Sequence, residues 1–422
     1  MSQNVASLIS SENKCIGCGV CVNFCPAKVL QMKMNDEKIY EVMASDGCIE
    51  KCDICLKICP FFDANEDDIN AEIYVNLPNF NEYFRAYLST YEFCKKDDNE
   101  RISSASGGAG NFIITKLFEL DMIDYAICPI GDERELFSFQ VLSKNEAFKI
   151  KGSVYYPLNL ENAIKFIIQN NARFAITALP CFAKALRLAM KRSARLKNRL
   201  KFIIGLVCGQ NKSANYTQKL ANLAFQNENT QLKSVNFRYK FKDKNAMQFG
   251  IKFTDIHDKI AIDDRTKSAF LWWGSRAFTP FACNSCNDVF AKCADAVLMD
   301  AWLEEKIGDF RGESLVVLRD EDLENIFKNC DQNCKIIDEK KVILSQMGVI
   351  RSKNLIKFGS YNLIKSKIRK LKLNIQKESL SNFNCDEYVK IKSKQIEKLD
   401  KIDNQFETLK YRFKNYTKKI HV

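Results

Sequence analysis

The sequence predicts a multidomain chain of mixed α+β and α/β class. It divides into a small cysteine-rich N-terminal module, a larger α/β body and a basic helical tail. Three observations predict this. Eight of the 18 cysteines fall between residues 15 and 60, in two runs. From residue 124, apolar runs of strand length alternate with stretches of helical spacing. Finally, residues 351–422 hold 19 Lys/Arg against 7 Asp/Glu. That tail accounts for the whole net charge of +12, and the preceding 350 residues carry 45 charges of each sign.

The N-terminal module spans residues 1–65. Its first run, C-I-G-C-G-V-C-V-N-F-C-P, places Cys15, Cys18, Cys21 and Cys25 before Pro26. The second, C-I-E-K-C-D-I-C-L-K-I-C-P, places Cys48, Cys52, Cys55 and Cys59 before Pro60. A C-x2-C-x2-C-x3-C-P run brings thiolates to a 4Fe-4S cubane from one loop and the start of a helix. In two-cluster ferredoxins the fourth cysteine of each run ligates the other cluster. On that rule Cys15, Cys18, Cys21 and Cys59 form one ligand set, and Cys48, Cys52, Cys55 and Cys25 the other. Gly17 and Gly19 allow the tight turns such a loop needs. The second run departs by one residue, C-x3-C between Cys48 and Cys52, so the loop must bulge there or Cys48 must stand aside. Structural zinc and disulfides are the competing readings. Eight closely spaced cysteines with two trailing prolines fit two C-x2-C zinc pairs poorly.

The first residues, M-S-Q-N-V-A-S-L-I-S, lack the charged and apolar regions of an export signal, and no apolar run is long enough to span a bilayer. So many thiols without such a signal lead us to expect a reducing, cytoplasmic setting. Because the excess charge belongs to the tail, it does not argue that the body binds nucleic acid.

Residues 66–83, acidic and polar at first, read as a linker, and 84–350 as the body, with parts of about 84–160 and 161–350. F-R-A-Y-L-S-T-Y-E (84–92) reads as a strand. Ser103, Ser104, Ser106, Gly107, Gly108 and Gly110 then precede an amphipathic helix. Such a loop can offer free N–H groups to a phosphate, or act as a plain helix cap. Strands at 124–130, 173–179 and 201–207 alternate with helices at 161–170, 181–192 and 213–225, which argues a parallel sheet. Ligands gather beyond the carboxyl ends of such strands, where Cys181 in A-L-P-C-F and Cys208 in L-V-C-G-Q lie. After two short strands within 233–254, F-A-C-N-S-C supplies Cys283 and Cys286. One C-x2-C pair cannot complete a site, so Cys181 and Cys208 are candidate partners for a third 4Fe-4S cluster, with Cys293 in reserve. Cys208 also reads as a small buried hydrophobe. Cys94, Cys128, Cys330, Cys334 and Cys385 show no ligand spacing and read as structural. Residues 314–318 read as the last strand. Lys184, Arg187, Lys191 and Arg192 line one helix, either as a solvated face or as a site for a phosphorylated cofactor or acidic carrier.

The ordered set of paired-cluster module, S-G-G before a helix, P-C, L-x-C-G and C-x-x-C-x-D resembles the coenzyme F-420 hydrogenase/dehydrogenase beta-subunit family. The resemblance covers most of residues 15–318. It implies an iron–sulfur flavoprotein oxidoreductase that passes electrons between clusters and FAD. Its second substrate would be coenzyme F-420 or, in bacterial members, a compound related to surface polysaccharides. By motif, it implies FAD near Ser106, Gly107, Gly108 and Gly110, with Lys184, Asp288 and Asp300 as further cofactor-binding positions and Asp295 as a third matched acid. Met299 before Asp300 and Leu179 before Pro-Cys depart from the family pattern, and both bear on the second-substrate pocket. The alternative role is an electron-transfer subunit. Expected partners are an electron carrier such as ferredoxin, or a redox subunit, and an unidentified small-molecule substrate. The tail, 351–422, is expected to be a helical extension, either a solvated arm or a dock for an acidic partner or an anionic membrane face.

Overall fold

The computed structural model describes residues 3–132, 135–264, 272–354 and 356–357. All but the first few residues of the expected helical tail lie outside this range.

In the N-terminal module, the first cysteine run turns through Gly17 (φ +75°) and Gly19 (φ +73°). A side chain at Gly17 would run into the Tyr40 backbone, so that turn requires glycine. A 3-10 turn, Val20–Phe24, carries Cys21. An antiparallel hairpin of β1 (Leu30–Met34) and β2 (Tyr40–Ala44) follows. The extra residue between Cys48 and Cys52 is absorbed in a turn where Lys51 adopts φ +60° and the Cys52 N–H bonds the Ile49 carbonyl. Helix α1 (Ile54–Ile58) then carries Cys55.

The expected linker is partly structured. Asn65 caps helix α2 (Glu66–Ile73) by accepting the Asp67 N–H, and the acidic residues sit in its first turn. That is where the positive end of the helix dipole favours negative charge. A hairpin of β3 (Asn79–Asn81) and β4 (Arg85–Tyr87) follows. The stretch expected as one strand at 84–92 is therefore divided between β4 and β5 (Ser89–Cys94).

The body continues with helices α3 (Asp98–Ser103) and α4 (Ala109–Glu119), strands β6 (Tyr125–Asp132) and β7 (Leu136–Leu142), and helix α5 (Glu161–Gln169). Next come β8 (Phe174–Ala178), α6 (Pro180–Met190), α7 (Ala194–Arg199), β9 (Leu200–Leu206) and α8 (Ala214–Phe225). Strands β10 (Leu232–Tyr239), β11 (Gly250–Asp255) and β12 (Ile260–Asp263) form a separate antiparallel sheet. The chain returns through β13 (Ala296–Asp300), α9 (Glu304–Ile307), β14 (Ser314–Leu318), α10 (Glu321–Lys328), β15 (Asn333–Ile336) and α11 (Glu339–Asn354).

The main sheet has eight strands in the order β15-β5-β14-β13-β9-β8-β6-β7. Only β6, β8, β9 and β13 are mutually parallel, and the other neighbours pair antiparallel. The expectation of a parallel sheet is thus corrected to a mixed one, and β14 is not the last strand, since β15 follows it. Alternate residues of the central strands feed two cores. Ile127, Ile176, Ile203 and Val297 face α5, α6 and α11. Ala126, Ala175, Ile204 and Leu298 face α4 and α10. Strands covered on both faces read as continuous apolar runs, as in F-A-I-T-A and S-L-V-V-L. Ile16 and Val20 belong to the first core. The cysteine module and the body therefore share buried surface.

Candidate metal centres and the junction between them

The eight N-terminal cysteines form two groups. Cys18 lies within electrostatic reach of Cys15 and Cys59, and Cys21 of Cys18, Cys15, Cys59 and also Cys55. The other group is Cys25, Cys48, Cys52 and Cys55, which line one cavity together with Pro26 and Val29. Cys48 is among the residues lining this cavity. Backbone N–H groups of Gly17 and Val42 point at Cys15, those of Val5 and Leu56 at Cys55, and those of Phe61 and Phe62 at Cys59. Such bonds stabilise thiolate and tune a bound cluster. Burial opposes them, pushing the Cys59 thiol up to about 12. These thiols shed their protons when a metal takes their place. Among the described residues, no three His, Cys, Asp or Glu side chains converge tightly enough for a single ion. A mononuclear zinc site needs such convergence, whereas a cubane presents separate irons to its four thiolates. The chemistry and spread of these donors fit the cubane.

A third group assembles on the body. Cys181 follows β8 at the start of α6, and Cys208 follows β9, the parallel neighbour of β8. The Cys208 N–H bonds the Val289 carbonyl, which draws the loop carrying Cys283 and Cys286 over the strand ends. Cys181 is within electrostatic reach of Cys286, Cys208 and Cys283, and also of Cys18 in the N-terminal module. The Asn211 N–H donates to Cys283 Sγ at 3.4 Å. Burial pushes Cys208 up to about 12, although Lys353 pulls it down. Cys293 lies elsewhere, with its Sγ toward the Glu66 carbonyl at 3.9 Å.

Sequence reasoning missed Lys353. It is buried, and its Nζ donates to the carbonyls of Asp288 (2.7 Å) and Cys208 (3.2 Å) and to Cys286 Sγ (3.3 Å). A signal was present: Val342, Gln346, Ile350 and Lys353 are buried residues of α11 at helical spacing, so the lysine ends an apolar stripe.

The basic residues of and just after α6 divide: Lys184 and Arg187 are buried, whereas Lys191 and Arg192 are exposed to solvent. Lys184 pairs with Glu66 at 3.0 Å, Lys191 with Glu72, and Arg187 with Asp295 at 2.5 Å. Tyr74 adds its hydroxyl to the Arg187–Asp295 pair. Lys292 bonds Asp67 at 2.6 Å, and Asn70 donates to the Lys292 carbonyl at 2.7 Å. Helix α2 thus locks the cysteine module onto the body. Lys184 and Lys191 of α6 and its C-cap pair directly with Glu66 and Glu72 of α2.

The seven positions expected near a flavin are mostly occupied by the protein itself. The Ser106 hydroxyl donates to the Glu313 carbonyl, and the Gly107 N–H to Ser314 Oγ at 3.0 Å. A Cβ on Gly107 would collide with the Phe93 carbonyl and lie 2.7 Å from Ser314 N. This glycine lets the loop press against two strands; it does not leave a cradle. Gly108 (φ +91°) caps α4, and a Cβ on Gly110 would touch Leu298. Lys184 is held by Glu66, and Asp300 by two bonds from Arg238 (2.6 and 3.0 Å). Asp288 accepts the Lys292 N–H through one oxygen, while the buried Oδ1 has no partner among the described residues. These residues do not fit a flavin cradle. Cys330 and Cys334 lie within electrostatic reach of each other; Cys330 Sγ accepts the Gln332 N–H and Cys334 Sγ faces the Phe327 carbonyl.

Comparison with known proteins follows the same division. Residues 7–73 match the family model "4Fe-4S dicluster domain". Residues 171–342 match the family model for the C terminus of the "Coenzyme F420 hydrogenase/dehydrogenase, beta subunit". No curated protein sequence matches the chain. A structural match is a chain of the F420-reducing [NiFe] hydrogenase complex from Methanosarcina barkeri, at 15% identity and TM-score 0.48, covering 65% of this chain and 92% of that one. No helix among the described residues is long and apolar enough to cross a membrane. Over residues 7–73 the chain is therefore similar to 4Fe-4S dicluster domains, and over residues 171–342 to the C-terminal region of the coenzyme F420 hydrogenase/dehydrogenase beta-subunit family.

Proposed function

We propose that the chain is an iron–sulfur relay carrying single electrons between an external carrier and an oxidoreductase reaction, with a third 4Fe-4S centre on its body. The dicluster match supports two clusters, held by Cys15, Cys18, Cys21 and Cys59 and by Cys25, Cys48, Cys52 and Cys55. Cys181, Cys208, Cys283 and Cys286 would hold the third. The observation that carries this reading is the position of Cys181, which interacts with those three cysteines and with Cys18 of the first module. When bound, each cluster stores and passes one electron. The protein fixes the thiolates on strand ends and glycine turns, points N–H groups at sulfur, and clamps module to body through α2 so that the centres keep a constant separation.

The matched family's description supports a hydride-handling partner at the far end of the relay, of the deazaflavin or flavin class. The Ser106–Gly110 loop, packed against β5 and β14, does not fit FAD. The partner is a redox subunit or a small-molecule oxidant or reductant. Anaerobic reductive titration with dithionite, counting electrons per chain, tests the reading. About three electrons are expected from three one-electron centres, and about five if a two-electron flavin is also bound. Uptake of only two electrons would sink the third centre.

A further inference from the structure

We propose that Lys353 sets the reduction potential of the body centre, and that this control comes from a helix segment lying beyond the part of the chain that matches the family. The inference rests on the reading that Cys181, Cys208, Cys283 and Cys286 hold a cluster. The family match ends at residue 342, near the start of α11, which continues to Asn354.

The helix is anchored first by ordinary packing. Val342 and Ile350 lie in the main core, Val349 packs beside them, and Gln346 donates to the Asp300 carbonyl at 2.9 Å. One turn beyond Ile350, the same buried face presents Lys353, only 4% exposed. A buried ammonium is costly unless its three protons find acceptors. Here they do, in two carbonyls and Cys286 Sγ. The carbonyls belong to Cys208 and Asp288, so the ammonium touches the two loops that carry three of the four cysteines. A second lysine, Lys357, bonds the Asn287 side chain at 2.8 Å, in the same C-x-x-C loop.

A cluster gains one negative charge on reduction. A fixed cation hydrogen-bonded to a ligand sulfur stabilises the reduced form more than the oxidised form, which raises the potential. Among the described residues, the dicluster cysteines meet backbone N–H groups and neighbouring thiols, and no such cation bonds their sulfurs. Lys353 thus distinguishes the body centre from the other two and biases electrons toward it.

The test is an EPR-monitored redox titration of the anaerobic full-length protein and of Lys353→Gln, Lys353→Met and Lys353→Arg, with iron counted in each. Gln keeps a hydrogen-bond donor and loses the charge, whereas Arg keeps the charge. For Gln and Met, we expect about a tenfold fall in the reduced-to-oxidised ratio of one centre at fixed ambient potential. That corresponds to about 59 mV for one electron. The other two midpoints should stay put, Arg should stay near wild type, and iron should be unchanged. An unshifted midpoint in Gln and Met overturns the proposal while leaving the three-centre reading intact. Loss of about four irons in Gln and Met alike also overturns it, because the lysine would then be a tether. About eight irons in the wild-type protein would overturn the reading on which the proposal rests.

Discussion

Replacing Arg187 by Met removes the guanidinium from the centre of the module–body junction, and the structure allows its cost to be worked out. Arg187 donates to the Cys293 carbonyl (2.9 Å), the Tyr74 hydroxyl (3.0 Å) and Asp295 (2.5 Å), with both charged side chains 8% exposed. Asp295 retains the Tyr74 hydroxyl at 3.0 Å and the Ile203 N–H at 2.8 Å. Removing one member of a buried pair typically costs about 3–5 kcal/mol, because the other charge is left buried. The surviving bonds to Asp295 place Arg187→Met at the lower end, about 3 kcal/mol. Asp295→Leu strands the guanidinium and orphans the Ile203 N–H, so about 4 kcal/mol is expected. The double variant buries no stranded charge and loses mainly neutral hydrogen bonds, at roughly 1–3 kcal/mol each when a buried partner is orphaned. Its cost should therefore fall at least about 2 kcal/mol below the sum of the singles. The assay is anaerobic urea unfolding followed by tryptophan fluorescence. Strict additivity would contradict mutual neutralisation of these two buried charges.

Gly107→Ala should leave little soluble protein or cost several kcal/mol, because its Cβ would meet backbone on two sides. Gly152→Ala has open space and only a left-handed φ of +72°, so about 1 kcal/mol is expected in the same urea assay. Lys240 donates to the carbonyls of Arg101, Ser106 and Arg311, and burial together with the Arg238 charge lowers its pKa from 10.5 to about 7. Between pH 7 and 10.5 the unfolded chain holds a proton that the folded chain lacks, so this group makes stability rise with pH in that window. Lys240→Met should remove up to about 1 kcal/mol per pH unit of that slope, read from urea midpoints at about pH 7, 8 and 9. An unchanged slope would contradict it.

How legible these features were depended on sequence distance. The cysteine runs were legible because each ligand loop is local and its spacing is set by the cubane. Cys181 and Cys208 were found because each ends a short apolar strand, and the parallel pairing of β8 with β9 sets them side by side. The mixed character of the sheet was not legible. β14 is as apolar as the parallel strands, and direction lies in the connections, not in the residues. The acidic stretch after Pro60 read as a linker because its charges have no local partners. Those partners, Lys184, Arg85 and Lys292, come from elsewhere in the chain. Lys184 and Arg187 of α6 were not recognised as buried for the complementary reason. Ser106–Gly110 fits a phosphate loop in sequence alone; only the approach of β5 and β14 shows what its glycines accommodate. Lys353 escaped because a lysine on an apolar stripe reads as an exposed residue until the sulfur beside it is seen.

On the proposed reading, four cysteines from three separate places on the body hold one cluster. Iron and acid-labile sulfide per chain, measured in anaerobic protein and in Cys181→Ser/Cys283→Ser, test it most directly. About twelve irons falling to about eight, with the dicluster EPR signal retained, is the predicted result. About eight irons in both proteins would contradict it.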